Sequence, residues 1–325
     1  QKDMEKYLKI KTTGQLKASG YVSKPIKEEL RANLIVKLAK KEKIFDSIKA
    51  FDETVIPDIE RAILSRHNIL LLGLRGQAKT RIARLMTNLL DEYIPYIKGT
   101  ELNDDPMNPL SRQAIDILEK HGDDTEIEWM HRSDRYTEKL ATPDVSVADL
   151  IGDVDPIKAA AMKLPYSDER VIHFGLIPRA HRGIFVINEL PDLQARIQVS
   201  LFNILQEGDI QIRGFKLRLP LDIQFVFTAN PEDYTNRGSI VTPLKDRIES
   251  QILTHYPKDI VTSKEITLQE AQLSDSQKKN VTGHELIENL LEQIAFEARS
   301  NEFVDPKSGV SARLTISAYE TIFSA

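Results

Sequence analysis

The sequence predicts an α/β protein built on a doubly wound parallel sheet flanked by helices, with a small helical domain after it. Three observations carry this. Short apolar runs at Asn68–Gly73 (NILLLG), Gly183–Asn188 (GIFVIN), Gln224–Ala229 (QFVFTA) and Ser250–Tyr256 (SQILTHY) have the length of strands buried on both faces. Stretches of helical spacing fall between them. One run passes directly through a glycine-containing loop into a helical stretch, the context in which backbone N–H groups can face phosphate oxygens.

The chain has 325 residues, more than one core usually fills, so two domains are expected. Hydrophobic content is 41% and charged content 29%, ordinary values for a globular protein. The net charge of −5 gives no global argument for nucleic acid, which is not expected as a partner. The absence of cysteine excludes disulfides and thiolate-held metals. No apolar run approaches a membrane span, and the first residues lack an apolar signal core, so the expected location is cytoplasmic. The chain begins at Gln1 without Met and ends at Ala325 within a helical pattern, which reads as a piece of a longer protein.

Residues 1–43 hold twelve Lys/Arg against five Asp/Glu, a local excess of seven positive charges. Within them Pro25–Lys43 has helical apolar spacing at Ile26, Leu30, Leu34, Ile35 and Leu38. A solvated amphipathic helix packed on the core is the preferred reading, and a basic arm for an acidic partner or nucleic acid is the alternative. Asp58–Ser65 reads as a helix, as does Gln77–Asp91 after the first strand. Residues 99–125 are polar and turn-rich, as an insertion would be, and 258–282 read as a linker. His284–Arg299 and Ser311–Ser324 are two further helical runs.

Gly73-Leu-Arg-Gly-Gln-Ala-Lys-Thr80 follows a buried strand and opens a helix. Lys79 is placed to reach the β- and γ-phosphates of a nucleotide, and Thr80 to ligate Mg²⁺. The pattern asks for a second glycine where Ala78 stands, a position that tolerates alanine at negative φ. The candidate nucleotide contacts are Gly73, Arg75, Gly76, Gln77, Ala78, Lys79, Thr80 and Arg81. A plain strand-to-helix turn with a chance Lys-Thr is the rival reading.

Gly183–Leu190 (GIFVINEL) resembles a strand ending in Asp-Glu, in which the Asp holds Mg²⁺ through water and the Glu polarises the attacking water. Glu189 is in place, whereas Asn188 brings an acceptor oxygen without the charge. Asn230, just past Gln224–Ala229, fits a group that holds the attacking water; capping the following turn is its other reading. Arg247 in Pro243–Arg247 (PLKDR) is the candidate arginine supplied to a neighbouring subunit, with Asp246 orienting it. Ser311 in Gly309–Thr315 (GVSARLT) caps a helix that carries Arg313, which could pair with the γ-phosphate.

Together these motifs resemble the AAA+ P-loop NTPases, and several strings are similar to the magnesium-chelatase I subunit and MoxR branch. Lys98–Pro106 (KGTELNDDP), Ala148–Ala159 (ADLIGDVDPIKA), Phe174–Leu190 (FGLIPRAHRGIFVINEL) and GVSARLT resemble chelatase segments, and Thr142–Asp149 (TPDVSVAD) resembles a MoxR one. The Ala-His-Arg-Gly box is the most specific. The resemblance runs from about Phe51 to the end of the chain. It implies a five-stranded parallel sheet with a small helical lid, ATP and Mg²⁺ as cofactors, and a hexameric ring with a von Willebrand A-type or other protein partner. It also implies an insertion at 158–173 and a hairpin at Ile210–Leu219 turning at Arg213-Gly214-Phe215. The division expected is a basic helical segment at 1–50, a nucleotide-binding domain at 51–257, and a linker with a partial lid at 258–325. The expected activity is ATP hydrolysis slowed by Asn188, in the service of remodelling a protein partner. A nucleotide-gated scaffold and a chelatase motor are the alternatives. Enhancer-type transcription activation is set aside, because the Gly-Ala-Phe-Thr-Gly-Ala loop of that branch is absent.

Overall fold

In the computed structural model the residues described are 2–45, 55–73, 79–230, 240–254, 285–300 and 312–324, with 264, 267, 268 and 271. The chain opens with three helices, α1 (Lys2–Tyr7), α2 (Thr13–Ala18) and α3 (Ile26–Ala39). Then come α4 (Val55–Leu64), β1 (Ile69–Leu72), α5 (Lys79–Leu85), β2 (Tyr93–Ile97), α6 (Arg112–His121), β3 (Ile127–His131) and β4 (Tyr136–Leu140). A compact excursion follows: α7 (Val147–Leu150), β5 (Gly152–Val154), α8 (Pro156–Met162), β6 (Ile172–Phe174) and α9 (Leu176–Arg179). The core resumes with β7 (Gly183–Asn188), α10 (Ala195–Glu207), β8 (Asp209–Ile212), β9 (Phe215–Arg218), β10 (Ile223–Ala229), α11 (Thr242–Arg247) and β11 (Ser250–Leu253). Two helices, α12 (Glu285–Ser300) and α13 (Ala312–Ser324), close the described chain.

Five strands form one parallel sheet in the order β11-β1-β10-β7-β4. This is the parallel five-stranded sheet with flanking helices expected of the AAA+ fold. Alternation of side chains along each strand sends neighbours to opposite faces, and both faces are covered. Leu70, Phe185, Ile187, Phe225 and Phe227 enter the cluster that α10 caps with Ile197, Leu201 and Ile204. Ile69, Leu71, Ile184, Val186 and Val226 enter the opposite one, with Leu30 and Leu34 of α3 and Ile59 and Ile63 of α4. Burial of both faces is why these strands read as unbroken apolar runs.

The fifth strand, β4 (YTEKL), has no such run. It lies at the sheet edge, its residues are half-buried or exposed, and its polar residues cost little there. The helix expected at Gln77–Asp91 ends at Leu85 and passes into a 3-10 turn at Met86–Leu89, which turns the chain toward β2. The stretch 99–125 contains α6, started by the Ser111 hydroxyl accepting from Ala114 N.

The basic N-terminal stretch is anchored by an acid. Ile26, Leu30 and Leu34 are fully buried, whereas Ile35 and Leu38 are 41% and 38% exposed. From the buried face Glu29 accepts both ends of the Arg135 guanidinium, at 2.6 and 2.9 Å, and the Asp91 amide at 2.8 Å. Arg135 Nε in turn donates to Arg182 O at 2.9 Å. The α3 N-terminus receives Asp222, whose carboxylate accepts from Ile26 N at 2.9 and 3.2 Å.

Gly183, which opens β7, has to be glycine. A Cβ there would sit 2.7 Å from the Arg135 carbonyl oxygen. The hairpin β8–β9 turns on Arg213 and Gly214, with φ of 47° and 83°, the two left-handed residues of a tight turn that matches strand twist. Arg213 is paired with Asp153 of β5 at 2.5 and 3.1 Å, tying the hairpin to the excursion before β7. The antiparallel β5–β6 pair brackets α8, which overlaps the start of the segment expected as an insertion at 158–173.

Helices α12 and α13 pack on each other. The buried Thr267 hydroxyl meets Thr315 at 3.0 Å, and on α13 the Tyr319 and Phe323 rings lie 4.5 Å apart, tilted by 34°.

Candidate nucleotide site at the strand ends

In an open parallel sheet, ligands sit outside the carboxyl ends of the strands. Here β1, β10 and β7 end side by side. Leu72 is in register with Ala229, and Phe227 with Ile187, so Gly73, Asn230 and Asn188 emerge together. Gly73 prolongs β1, its N–H donating to Ala229 O at 3.1 Å. The loop residues 74–78, and with them Arg75, Gly76, Gln77 and Ala78, lie outside the described residues.

Lys79, first residue of α5, is 6% exposed. Its amine donates to Gly73 O at 2.8 Å, Ala229 O at 3.4 Å and Asn230 Oδ1 at 2.8 Å. Burying an ammonium is costly unless oxygens surround it, and three strand-end oxygens do so. Asn230 is 2% exposed, and its amide group donates to Glu189 Oε2 at 3.3 Å. One side chain therefore joins the lysine that opens α5 to the glutamate that follows β7.

A second link runs beside it. Asn188 Oδ1 accepts from Thr80 Oγ1 at 3.4 Å and from Thr228 Oγ1 at 3.1 Å. Thr228 also accepts from the Glu189 N–H at 3.2 Å. Glu189 has φ 57° and ψ 50°, a left-handed backbone that costs a residue with a Cβ about 1–2 kcal/mol. Such strain persists where surrounding contacts over-determine it and often marks a functional position.

The structure thus brings together Gly73, Lys79, Thr80, Asn188, Glu189 and Asn230. Arg81 is half-buried on α5, one residue beyond Thr80. Arg247 is exposed at the last residue of α11 and has no hydrogen bond or ion pair with this cluster; Asp246 is exposed beside it. Arg313 lies in α13, and its side chain is outside the described residues, as is Ser311. Sequence reading missed Thr228. A signal existed: a hydroxyl two positions before Asn230 on a strand must point to the same side.

The donor set is oxygen only. Thr80 and Asn188 oxygens lie side by side with Glu189 adjoining, which suits a hard cation that keeps most of its waters, as Mg²⁺ does. Among the described residues no group of three or more His, Asp or Glu could hold a metal by itself. None of their helices is long and apolar enough to cross a membrane.

Parts of the chain are similar to known proteins. Residues 165–252, from the end of the excursion through β11, match the Sigma-54 interaction domain family. The magnesium-chelatase 38 kDa subunit of Cereibacter sphaeroides is 28% identical over 204 residues, covering 61% of this chain and 54% of that protein. Its counterpart in Rhodobacter capsulatus is 24% identical, covering 61% and 51%. The chain spans about half the length of the curated relatives it matches. Among solved structures, the magnesium-chelatase complex of BchI and BchD aligns at TM-score 0.46 and 20% identity, over 78% of this chain and 71% of that one. NtrX from Brucella abortus aligns at TM-score 0.44 and 13% identity, over 79% and 47%.

Proposed function

We propose that this chain is an ATP-binding and ATP-hydrolysing AAA+ subunit that works in a ring to remodel or activate a protein partner. The observation that supports it most is the bridge from Lys79 through Asn230 to Glu189, at the ends of three parallel strands. In this reading the Lys79 amine exchanges protein oxygens for the β- and γ-phosphates, and Thr80 with Asn188 holds Mg²⁺. The ion neutralises charge on the phosphates when bound. Glu189 orients the attacking water and Asn230 positions it. Arg247, exposed before the edge strand, is offered to the nucleotide of a neighbouring subunit, and Arg313 approaches from the lid.

The test is Lys79→Ala. Its charge-assisted contacts cannot be replaced by a methyl group, so ATP should no longer raise the melting temperature. Equal stabilisation of variant and parent would remove the phosphate-loop assignment. Light scattering with and without a non-hydrolysable ATP analogue tests the ring, which predicts a larger mass with nucleotide.

Asn188 favours a second reading, a nucleotide-gated scaffold with negligible turnover, and a phosphate-release assay separates the two. The curated relatives favour a third, the motor subunit of a metal chelatase; copurification with a large porphyrin-binding subunit would support it.

A further inference from the structure

Thr228 is a buried hydroxyl, 2% exposed, the next-to-last residue of a strand that is buried along its whole length. A hydroxyl in such a place costs stability unless both its donor and acceptor capacity are used. Both are. Its hydrogen goes to Asn188 Oδ1 at 3.1 Å, and its oxygen takes the Glu189 N–H at 3.2 Å. Those two residues are consecutive, so one hydroxyl grips the side chain of the first and the backbone of the second.

The second is the residue held at φ 57° and ψ 50°. In a regular extension of β7 the Glu189 side chain would continue the strand's alternation. The left-handed backbone redirects it instead, and its Oε2 lies 3.3 Å from the Asn230 amide nitrogen. The Glu189 N–H is the point at which the chain leaves the ladder, and Thr228 is its acceptor. Thr228 of β10 and Asn230, one residue past its end, thus hold Glu189 at its backbone and at its carboxylate.

We infer that Thr228 is a positioning residue for ATP hydrolysis: its hydroxyl holds Glu189 in the left-handed conformation that aims the carboxylate at the attacking water. The inference rests on the reading of Glu189 as the group that orients water. Thr228 touches neither the water nor the nucleotide in this scheme, so its loss should act on turnover and leave nucleotide affinity in place.

The experiment compares the parent with Thr228→Val, which keeps the branched shape and removes the hydroxyl, and with Thr228→Ser, which restores the hydroxyl. Residue-resolved hydrogen exchange should show the Glu189 amide about tenfold faster in the valine variant, as for loss of one hydrogen bond, with Phe185 and Phe227 unchanged. The ATP dissociation constant should stay within about threefold, while turnover falls roughly ten- to a hundredfold, the scale of a slightly misplaced reacting group. Thr228→Ser should recover most of both. Unchanged exchange at Glu189, or parental turnover in the valine variant, overturns the inference. So does loss of ATP binding in step with turnover, which would mean a purely structural role. If Glu189→Gln turns over ATP like the parent, the reading of Glu189 has failed. Faster Glu189 exchange in Thr228→Val alongside that result would show the grip intact but the function misassigned.

Discussion

The side-chain oxygen of Asn230 accepts the Lys79 amine at 2.8 Å, across 151 positions of sequence. Parallel pairing of β1 with β10 makes this possible, because it delivers the residue after each strand to the same end of the sheet. The contact has the neutral partner that a phosphate can displace. A carboxylate in its place would compete with phosphate for the ammonium.

Asn230→Asp should therefore weaken ATP binding. The new carboxylate would stand at hydrogen-bond distance from a buried ammonium, and breaking such a pair on nucleotide entry opposes binding. The expected dissociation constant rises about tenfold or more by isothermal titration calorimetry. Parental affinity would show that Lys79 does not leave Asn230 when nucleotide binds.

The second prediction concerns the acid in the basic helix. Glu29 and Arg135 side chains are 4% and 2% exposed and joined by two hydrogen bonds. Removing one partner strands a buried charge, so Glu29→Ala should cost about 3–5 kcal/mol in urea denaturation. Replacing both, as Glu29→Leu with Arg135→Met, should recover most of that loss, because the costly state is the unpaired one. A Glu29→Ala cost below about 1 kcal/mol would mean α3 contributes little to the core.

These cases show why parts of the protein could be read from sequence and others could not. The buried strands GIFVIN and QFVFTA are visible because both faces of the sheet are covered, which removes the polar alternation. Strand β4 was invisible because an edge strand tolerates Thr, Glu and Lys. Lys79, Asn188, Glu189 and Asn230 stood at strand ends by local pattern, so the sheet brings them together once its order is known. Glu29 with Arg135 and the double role of Thr228 depend on contacts between residues far apart in the chain, which no local spacing records. The excess of positive charge hid the fact that α3 is held through one of its few acids.

His181 supplies a prediction about pH. Burial, and then the nearby Arg182 charge, pull its imidazole down to about 3 from a usual value near 6.5. Its Nδ1 accepts the Asp222 N–H at 3.0 Å, which a protonated ring could not do. The folded state therefore binds fewer protons than the unfolded chain between about pH 6.5 and 3. Its contribution is fully present above the upper value and is lost as pH falls through that window, at no more than about 1.4 kcal/mol per pH unit. Asp222, raised by burial, contributes in the opposite sense. His181→Gln keeps an acceptor and cannot titrate. Denaturation series at pH 7 and pH 4.5 should show a smaller acid loss in that variant than in the parent; equal losses would contradict the assignment.

Asn188 should limit turnover. Its Oδ1 already takes hydroxyl hydrogens from Thr80 and Thr228, and the amide adds no negative charge to hold a cation. A carboxylate would keep one oxygen for those hydroxyls and offer a second, charged one to a metal-bound water. Electrostatic contributions of this kind in other enzymes are worth about 2.7–4 kcal/mol, and because Asn188 retains the acceptor the deficit here should be smaller. Asn188→Asp should raise the ATPase rate and lower the Mg²⁺ concentration needed for half-maximal activity. Glu189→Gln should act differently: it keeps the phosphate contacts and the bridge to Asn230 but removes the base-like carboxylate, so ATP should bind and remain uncleaved. Phosphate release, read alongside retained radiolabelled ATP, distinguishes the two. If Asn188→Asp leaves a near-zero rate unchanged while ATP still binds, the chain is a nucleotide-gated scaffold, and the missing charge at position 188 is not what holds it back.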